Sequence, residues 1–186
     1  MITYYTNREL SKKLKINLAK WKRWSREFLP PDPLGGLQSG YARQYTRDDA
    51  FTVYLGGSIV SDLKFTIPEA KTILNDLKNW LTQAGFYTQS NIRDTPAESI
   101  HDRITHYQVS VQPVDHQTVQ LRYRIRGILS DEAVSIGGYP ARQVRYIETV
   151  LPEEAPPQET EAATMSKMLN ITRVADRFAK ALTAAS

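Results

Sequence analysis

The stretch Thr6-Asn7-Arg8-Glu9-Leu10-Ser11-Lys12-Lys13-Leu14-Lys15-Ile16-Asn17-Leu18-Ala19-Lys20-Trp21-Lys22-Arg23-Trp24-Ser25-Arg26-Glu27-Phe28-Leu29-Pro30-Pro31 decides how the chain is read. Thr6 stands three residues before Glu9, the spacing of a capping box. There the hydroxyl accepts from an orphan backbone N–H and the acid reaches back to the cap. A first helix over Asn7–Leu14 follows, with Leu10 and Leu14 facing inward. Lys15-Ile16-Asn17 reads as a tight turn, and Asn17 as the N-cap of a second helix over Leu18–Phe28. Ile16 and Trp21 take the staple positions around that cap. Proline cannot continue a helix, so Leu29-Pro30-Pro31-Asp32-Pro33 stops it. Two short helices joined by a three-residue turn predict a helix-turn-helix.

The second helix has two characters. Trp21, Trp24 and Phe28 share a face at i, i+3 and i+7, while Lys20, Lys22, Arg23 and Arg26 cover the others. A helix that enters a major groove needs such an apolar anchor and such a basic side. The bland alternative is a basic amphipathic helix that only solubilises its domain. The charge distribution extends the contrast. Residues 1–47 hold ten Lys and Arg against three acids, a charge of +7, whereas the remainder carries −3. A basic head on a mildly acidic body is the footprint of a polyanion binder.

Beyond the prolines, residues 34–45 are glycine-rich between apolar and aromatic residues and predict a hairpin loop, a wing. Thr46-Arg47-Asp48-Asp49 and Thr66-Ile67-Pro68-Glu69 repeat the capping-box spacing. They open a third helix, Arg47–Leu63, and a fourth, Ile67–Thr82, with Ile73, Leu74, Leu77 and Leu81 inward. Gly56-Gly57 weakens the third helix by up to ~2 kcal/mol, which predicts close packing against another helix. Residues 83–104 lack a period and read as a linker. Tyr107, Val109 and Val111, then Val119, Leu121, Tyr123 and Ile125, alternate with polar residues, two strands of an antiparallel hairpin. A third strand is expected within Arg142–Leu151. After an acidic, proline-rich linker at 152–159, a tail helix is expected over Thr160–Thr183, with Met165, Met168, Leu169, Phe178 and Leu182 near one face.

Residues 5–81 resemble the DNA-binding domain of the MerR superfamily, which takes in excisionase-like winged helices. The elements occur in order: the capped helix Thr6–Leu14, the turn Ile16-Asn17, Lys20–Trp24, Leu29-Pro30-Pro31, Gly40-Tyr41-Ala42-Arg43-Gln44-Tyr45-Thr46-Arg47-Asp48-Asp49, and Phe65-Thr66-Ile67-Pro68-Glu69-Ala70. The resemblance implies that Lys22 contacts phosphate and that Arg43, in the wing, contacts the backbone or minor groove. Arg23 falls at a position often aromatic. Tyr45 matches a wing tyrosine that touches phosphate or closes the core, and packing is the better match. Asn17 and Lys20, near the start of the second helix, are placed to reach base edges. Residues 83–104 carry no heptad for the long coiled-coil helix of MerR activators.

Other classes find little support. The chain has no cysteine, which excludes disulfides and thiolate metal sites, and its three histidines, His101, His106 and His116, lack ligand spacing. No P-loop, dinucleotide fingerprint or hydrolase elbow occurs. Asp94, Glu98 and Asp102 near His101 and His106 have helical spacing for a metal, but Pro96 interrupts them. Arg122, Arg124 and Arg126 share a sheet face, as a second phosphate surface or, more simply, as a solvated or ion-paired face with Glu148. No apolar run spans a membrane and no signal peptide is evident, so a cytoplasmic, nucleoid-associated protein is expected.

The sequence therefore predicts an α+β chain. A winged helix-turn-helix domain occupies 1–82, a linker 83–104, an antiparallel β region 105–151, a linker 152–159 and a C-terminal helix 160–186 for dimerisation or packing. The expected function is sequence-specific binding of double-stranded DNA by a non-enzymatic, cofactor-free, homodimeric transcription regulator, with an unknown small-molecule or protein effector open. The candidate contacts are Asn17, Lys20, Lys22, Arg23, Arg26, Arg43 and Tyr45. An excisionase-like DNA-bending factor and a protein-interaction module are the alternatives.

Overall fold

A computed structural model describes residues 3–32, 42–87, 103–113, 120–152 and 166–184. It is α+β, with five helices and two antiparallel sheets of two and four strands. The chain divides into two compact units, residues 1–92 with 174–186, and residues 93–173.

In the first unit, β1 (Tyr5–Thr6) leads into α1 (Asn7–Lys13), and α2 spans Leu18–Phe28. β2 (Gln44–Tyr45) precedes α3 (Arg47–Ser61) and α4 (Ile67–Gln83). All three expected capping boxes form. Thr6, Thr46 and Thr66 each accept from the N3 backbone N–H, and Glu9, Asp49 and Glu69 each accept from the cap. The bonds donated by Thr6 hold the Glu9 carboxyl below the usual carboxylate range. Thr6 and Tyr5 pair with Gln44 and Tyr45, so the described end of the expected wing joins the strand before α1. The rest of that hairpin, 34–41, lies outside the described residues.

Helix C-termini are closed by one motif used twice. After α4, Gly85 adopts the left-handed region (φ 81°) and Phe86 N donates to Leu81 O at 3.0 Å. After α1, Lys15 does the same (φ 54°) and Ile16 N donates to Ser11 O at 3.0 Å. Both are Schellman turns, and only the first has the glycine that makes one inexpensive. Residues 84–87, expected to begin a linker, are instead part of the packing. Phe86 and Tyr87 lie on Phe51, with ring centroids 6.5 and 5.9 Å away.

α3 is the centre of this unit. Ala50, Phe51, Val53, Leu55, Gly56, Gly57, Ser58 and Ile59 are all buried, so the helix is covered on nearly every side. The paired glycines explain how α2 comes so near. A Cβ on Gly57 would overlap the Trp24 ring, and one on Gly56 would stand 2.7 Å from Phe28. From the far end of the chain, Phe178 of α5 (Ile171–Thr183) packs on Phe51 and Tyr54 at 5.3 and 5.5 Å. Lys13 Nζ donates to the Leu182 and Ala184 carbonyls, a cation at a helix C-terminus.

The second unit is the four-stranded sheet, ordered β5-β4-β3-β6. Its strands are β3 (His106–Pro113), β4 (Leu121–Ile136), β5 (Tyr139–Leu151) and β6 (Lys167–Asn170). The expected alternation holds at Tyr107, Val109, Val111, Tyr123 and Ile125, which are buried; Leu121 is half-buried, and Val119 lies outside the described residues. Two expectations need correction. β4 runs ten residues past Arg126 and turns at Gly137-Gly138, both at positive φ, into β5. The tail helix begins at Ile171, not near Thr160. Residues 167–170 pair with β3, so Met168 points outward at 54% exposure while Leu169 is buried. Asn170 then accepts from Arg173 N at 2.8 Å and starts α5. Residues 160–165, with Met165, lie outside the described residues.

Gly57→Ala gains about 1 kcal/mol in helix propensity but forces a methyl into the Trp24 ring, for which overpacking costs of about 1–3 kcal/mol are usual. Urea denaturation is expected to show net destabilisation. Lys15→Gly is expected to raise stability by about 1 kcal/mol, the cost of a non-glycine residue in the left-handed region, measured the same way.

Candidate nucleic-acid interface

α2 presents its two faces as its spacing requires. Trp21 and Trp24 are buried, at 0% and 6% exposure, and Phe28 is half-buried against α3. Lys20, Lys22, Arg23 and Arg26 are all exposed. None of the four lies within ion-pair distance of an acid among the described residues. The one acid of the helix, Glu27, is turned to α4, where Lys71 Nζ lies 2.7 Å from it. Lys71 holds the Glu27 carboxyl below the usual carboxylate range. The solvent face of α2 is thereby cationic along its length, and two buried indoles fix its orientation.

The other candidates divide. Asn17 is exposed, but its Oδ1 accepts from Ala19 N at 2.9 Å and Lys20 N at 3.3 Å. Its oxygen is committed to the cap, which leaves its amide NH2 as the group it can offer. Lys20 Nζ lies 4.7 Å from the Trp24 ring centroid, a cation–π contact that holds the ammonium near the helix. Arg43 is half-buried, donates through Nη2 to Pro30 O at 2.9 Å and lies over the Tyr45 ring at 5.6 Å. It is therefore tied to the C-terminal end of α2, while Asn17 marks the other end, roughly 16 Å away for a helix of this length.

Tyr45, one of the candidate contacts, is a core residue, as the packing alternative has it. It is 1% exposed, and its hydroxyl lies 2.7 Å from Asn7 Oδ1 and 3.0 Å from Ser25 Oγ. Its ring meets Trp21 edge-on at 5.9 Å. A side chain enclosed in this way cannot reach a phosphate. It joins β2, α1 and α2 through one buried polar node.

Counting charge did not distinguish the remaining cations. Lys13 is spent on the end of α5 and Lys15 on a turn, whereas Arg8, Lys12 and Arg47 are exposed. In the sheet, Glu148 takes Arg126 at 2.7 Å and Arg124 at 3.8 Å, while Arg122 is half-buried and in no ion pair among the described residues. The bond to Glu148 raises the Arg126 pKa. Asp94, Glu98, His101 and Asp102 lie outside the described residues. Among the described residues, no cluster of three acids or histidines suits a metal, and no helix is long and apolar enough to cross a membrane. No family model, curated protein or solved structure matches the chain.

Tyr45→Phe is expected to lower stability by about 1–2 kcal/mol, because Asn7 and Ser25 each lose a buried partner. Anisotropy titration of the folded variant on a DNA duplex is expected to give wild-type affinity. A loss of affinity without loss of stability would make Tyr45 a contact residue.

Proposed function

We propose that this chain is a double-stranded DNA-binding transcription regulator, with α1 and α2 as a helix-turn-helix, α2 lying in the major groove and the segment around Arg43 serving as a wing. One observation carries the reading: α2 has an exposed face of Lys20, Lys22, Arg23 and Arg26, none of them in an ion pair among the described residues, on a helix pinned by buried Trp21 and Trp24. Cations held on a rigid rod can neutralise a row of phosphates with little further loss of side-chain freedom. The N-terminal end of the helix, where Asn17 keeps an amide donor and Lys20 an ammonium, is the end that meets base edges in such docking. Arg43 acts in part as a positioning residue, since its bond to Pro30 ties the wing segment to the end of α2.

Titration of labelled duplexes at two salt concentrations tests this. Wild-type binding is expected to weaken steeply with salt. Lys22→Ala and Arg23→Ala are each expected to lower affinity for every duplex and to flatten the logarithmic salt slope by about one unit. Lys20→Ala is expected to reduce discrimination between a selected site and random sequence. No binding to any duplex at low salt would refute the proposal. Binding sites clustered at a recombination site, with bent DNA, would favour an architectural role over regulation.

A further inference from the structure

We propose that a second copy of this chain adds to the sheet at the β5 edge, antiparallel, about a two-fold axis through Arg145. β5 is thirteen residues long and ends the strand order, so it has no neighbour on its outer side among the described residues. An edge strand turns every second backbone N–H and C=O away from its sheet, and a long apolar one is a template for pairing. β5 is long and carries four exposed large apolar side chains, with Arg142, Arg145 and Glu148 between them. Tyr139 is 77% exposed, and Tyr146, Val144 and Val150 are exposed at 45%, 41% and 36%.

The occupant follows from the order of residues along the strand. In an antiparallel pair centred on Arg145, position numbers of opposed residues sum to a constant. Val144 then faces Tyr146, Pro140 faces Val150 and Tyr139 faces Leu151, so each exposed apolar side chain meets an apolar one. Arg142 faces Glu148, an opposite-charge pair repeated by the symmetry. Arg142 engages Asp131 through Nε and Nη2, which leaves Nη1 for the second copy's Glu148, a carboxylate that also serves that copy's Arg126 and Arg124 and has lone pairs for a further donor. All thirteen residues are used. A shift to a centre at Val144 sets Glu148 against Pro140 and moves Val150 beyond the paired strand. The adverse contact is Arg145 against its own symmetry mate. Its Nε donates to Ser130 Oγ on β4 at 3.0 Å, which draws the guanidinium away from the axis. Cross-strand pairs of these kinds stabilise sheets, and a self-complementary edge gives a closed dimer rather than a fibre.

This pairing is independent of DNA binding and is tested without DNA. Sedimentation of the full-length chain over a range of concentrations is expected to show a dimer. Val144→Lys, at an exposed position, is expected to raise the dimer dissociation constant about tenfold or more, with an unchanged circular dichroism spectrum. Ile136→Lys, at a more exposed apolar residue across the turn from β5, is expected to leave it unchanged. The chain has no cysteine, so single cysteines report the register. Arg145→Cys is expected to form a covalent dimer on mild oxidation. Gln143→Cys, about 13 Å from its symmetry mate, is not. A monomer at every concentration, a dimer indifferent to Val144→Lys, or equal cross-linking at 143 and 145 would overturn the proposal.

Discussion

The contact of Trp24 with Gly57 is the constraint from which the first unit is arranged. An indole can lie on a helix backbone only where the side chains are missing, and Gly57 and the adjacent Gly56 supply that gap. Trp24 enters it, Phe28 fills the space over Gly56 one turn on, and the helix-propensity loss of two glycines is offset by aromatic burial. With α2 fixed on that side, Trp21 reaches Tyr45, and Tyr45 reaches Asn7 and Ser25. The orientation of the cationic face is a consequence of this packing. Lys20, Lys22, Arg23 and Arg26 face water because the positions between them are occupied by the anchors.

The helices of the first unit were legible because their ends are written locally. Thr6, Thr46 and Thr66 each sit three residues before an acid, and Pro30-Pro31 closes α2 by stereochemistry alone. Even close packing of α3 against another helix was implied by two glycines in a helical stretch, though not that the partner is α2. The features missed depend on partners far away in sequence. Lys167–Asn170 has no strong strand pattern and becomes a strand because β3 offers an edge, with Leu169 opposite Val109. The outer half of β4 was missed for another reason. Asp131, Glu132, Ala133 and Ser135 are all exposed, so no alternation of apolar and polar residues marks them. The signal present was Gly137-Gly138 between Ile136 and Tyr139, a two-residue hairpin turn.

The site was legible in composition and less so in assignment. A basic helix with an aromatic stripe states which side is buried, because 3.6-residue periodicity separates the two. It does not state what each cation does, and the ten Lys and Arg of residues 1–47 are not equivalent. Lys13 neutralises the carbonyl end of a helix 169 residues away, a role with no local mark. Arg43 donates to the Pro30 carbonyl. Tyr45 had two readings, phosphate or core, of which packing was the better match, and its hydrogen-bond distances to Asn7 and Ser25 place it in the core.

The same sorting applies to the arginines of the sheet, with the opposite outcome. Arg124 and Arg126 share Glu148, and Arg126 also lies over Tyr146 at 4.5 Å. A polyanion approaching that face would have to displace an acid already in place, whereas one approaching α2 meets no such competitor among the described residues. Glu27 makes the comparison sharp, because it is the acid best placed on α2 to play the part of Glu148. Lys71 holds it against α4 instead. Two faces of similar cationic content therefore differ in how their charge is compensated, and the difference rests on where one carboxylate in each is held.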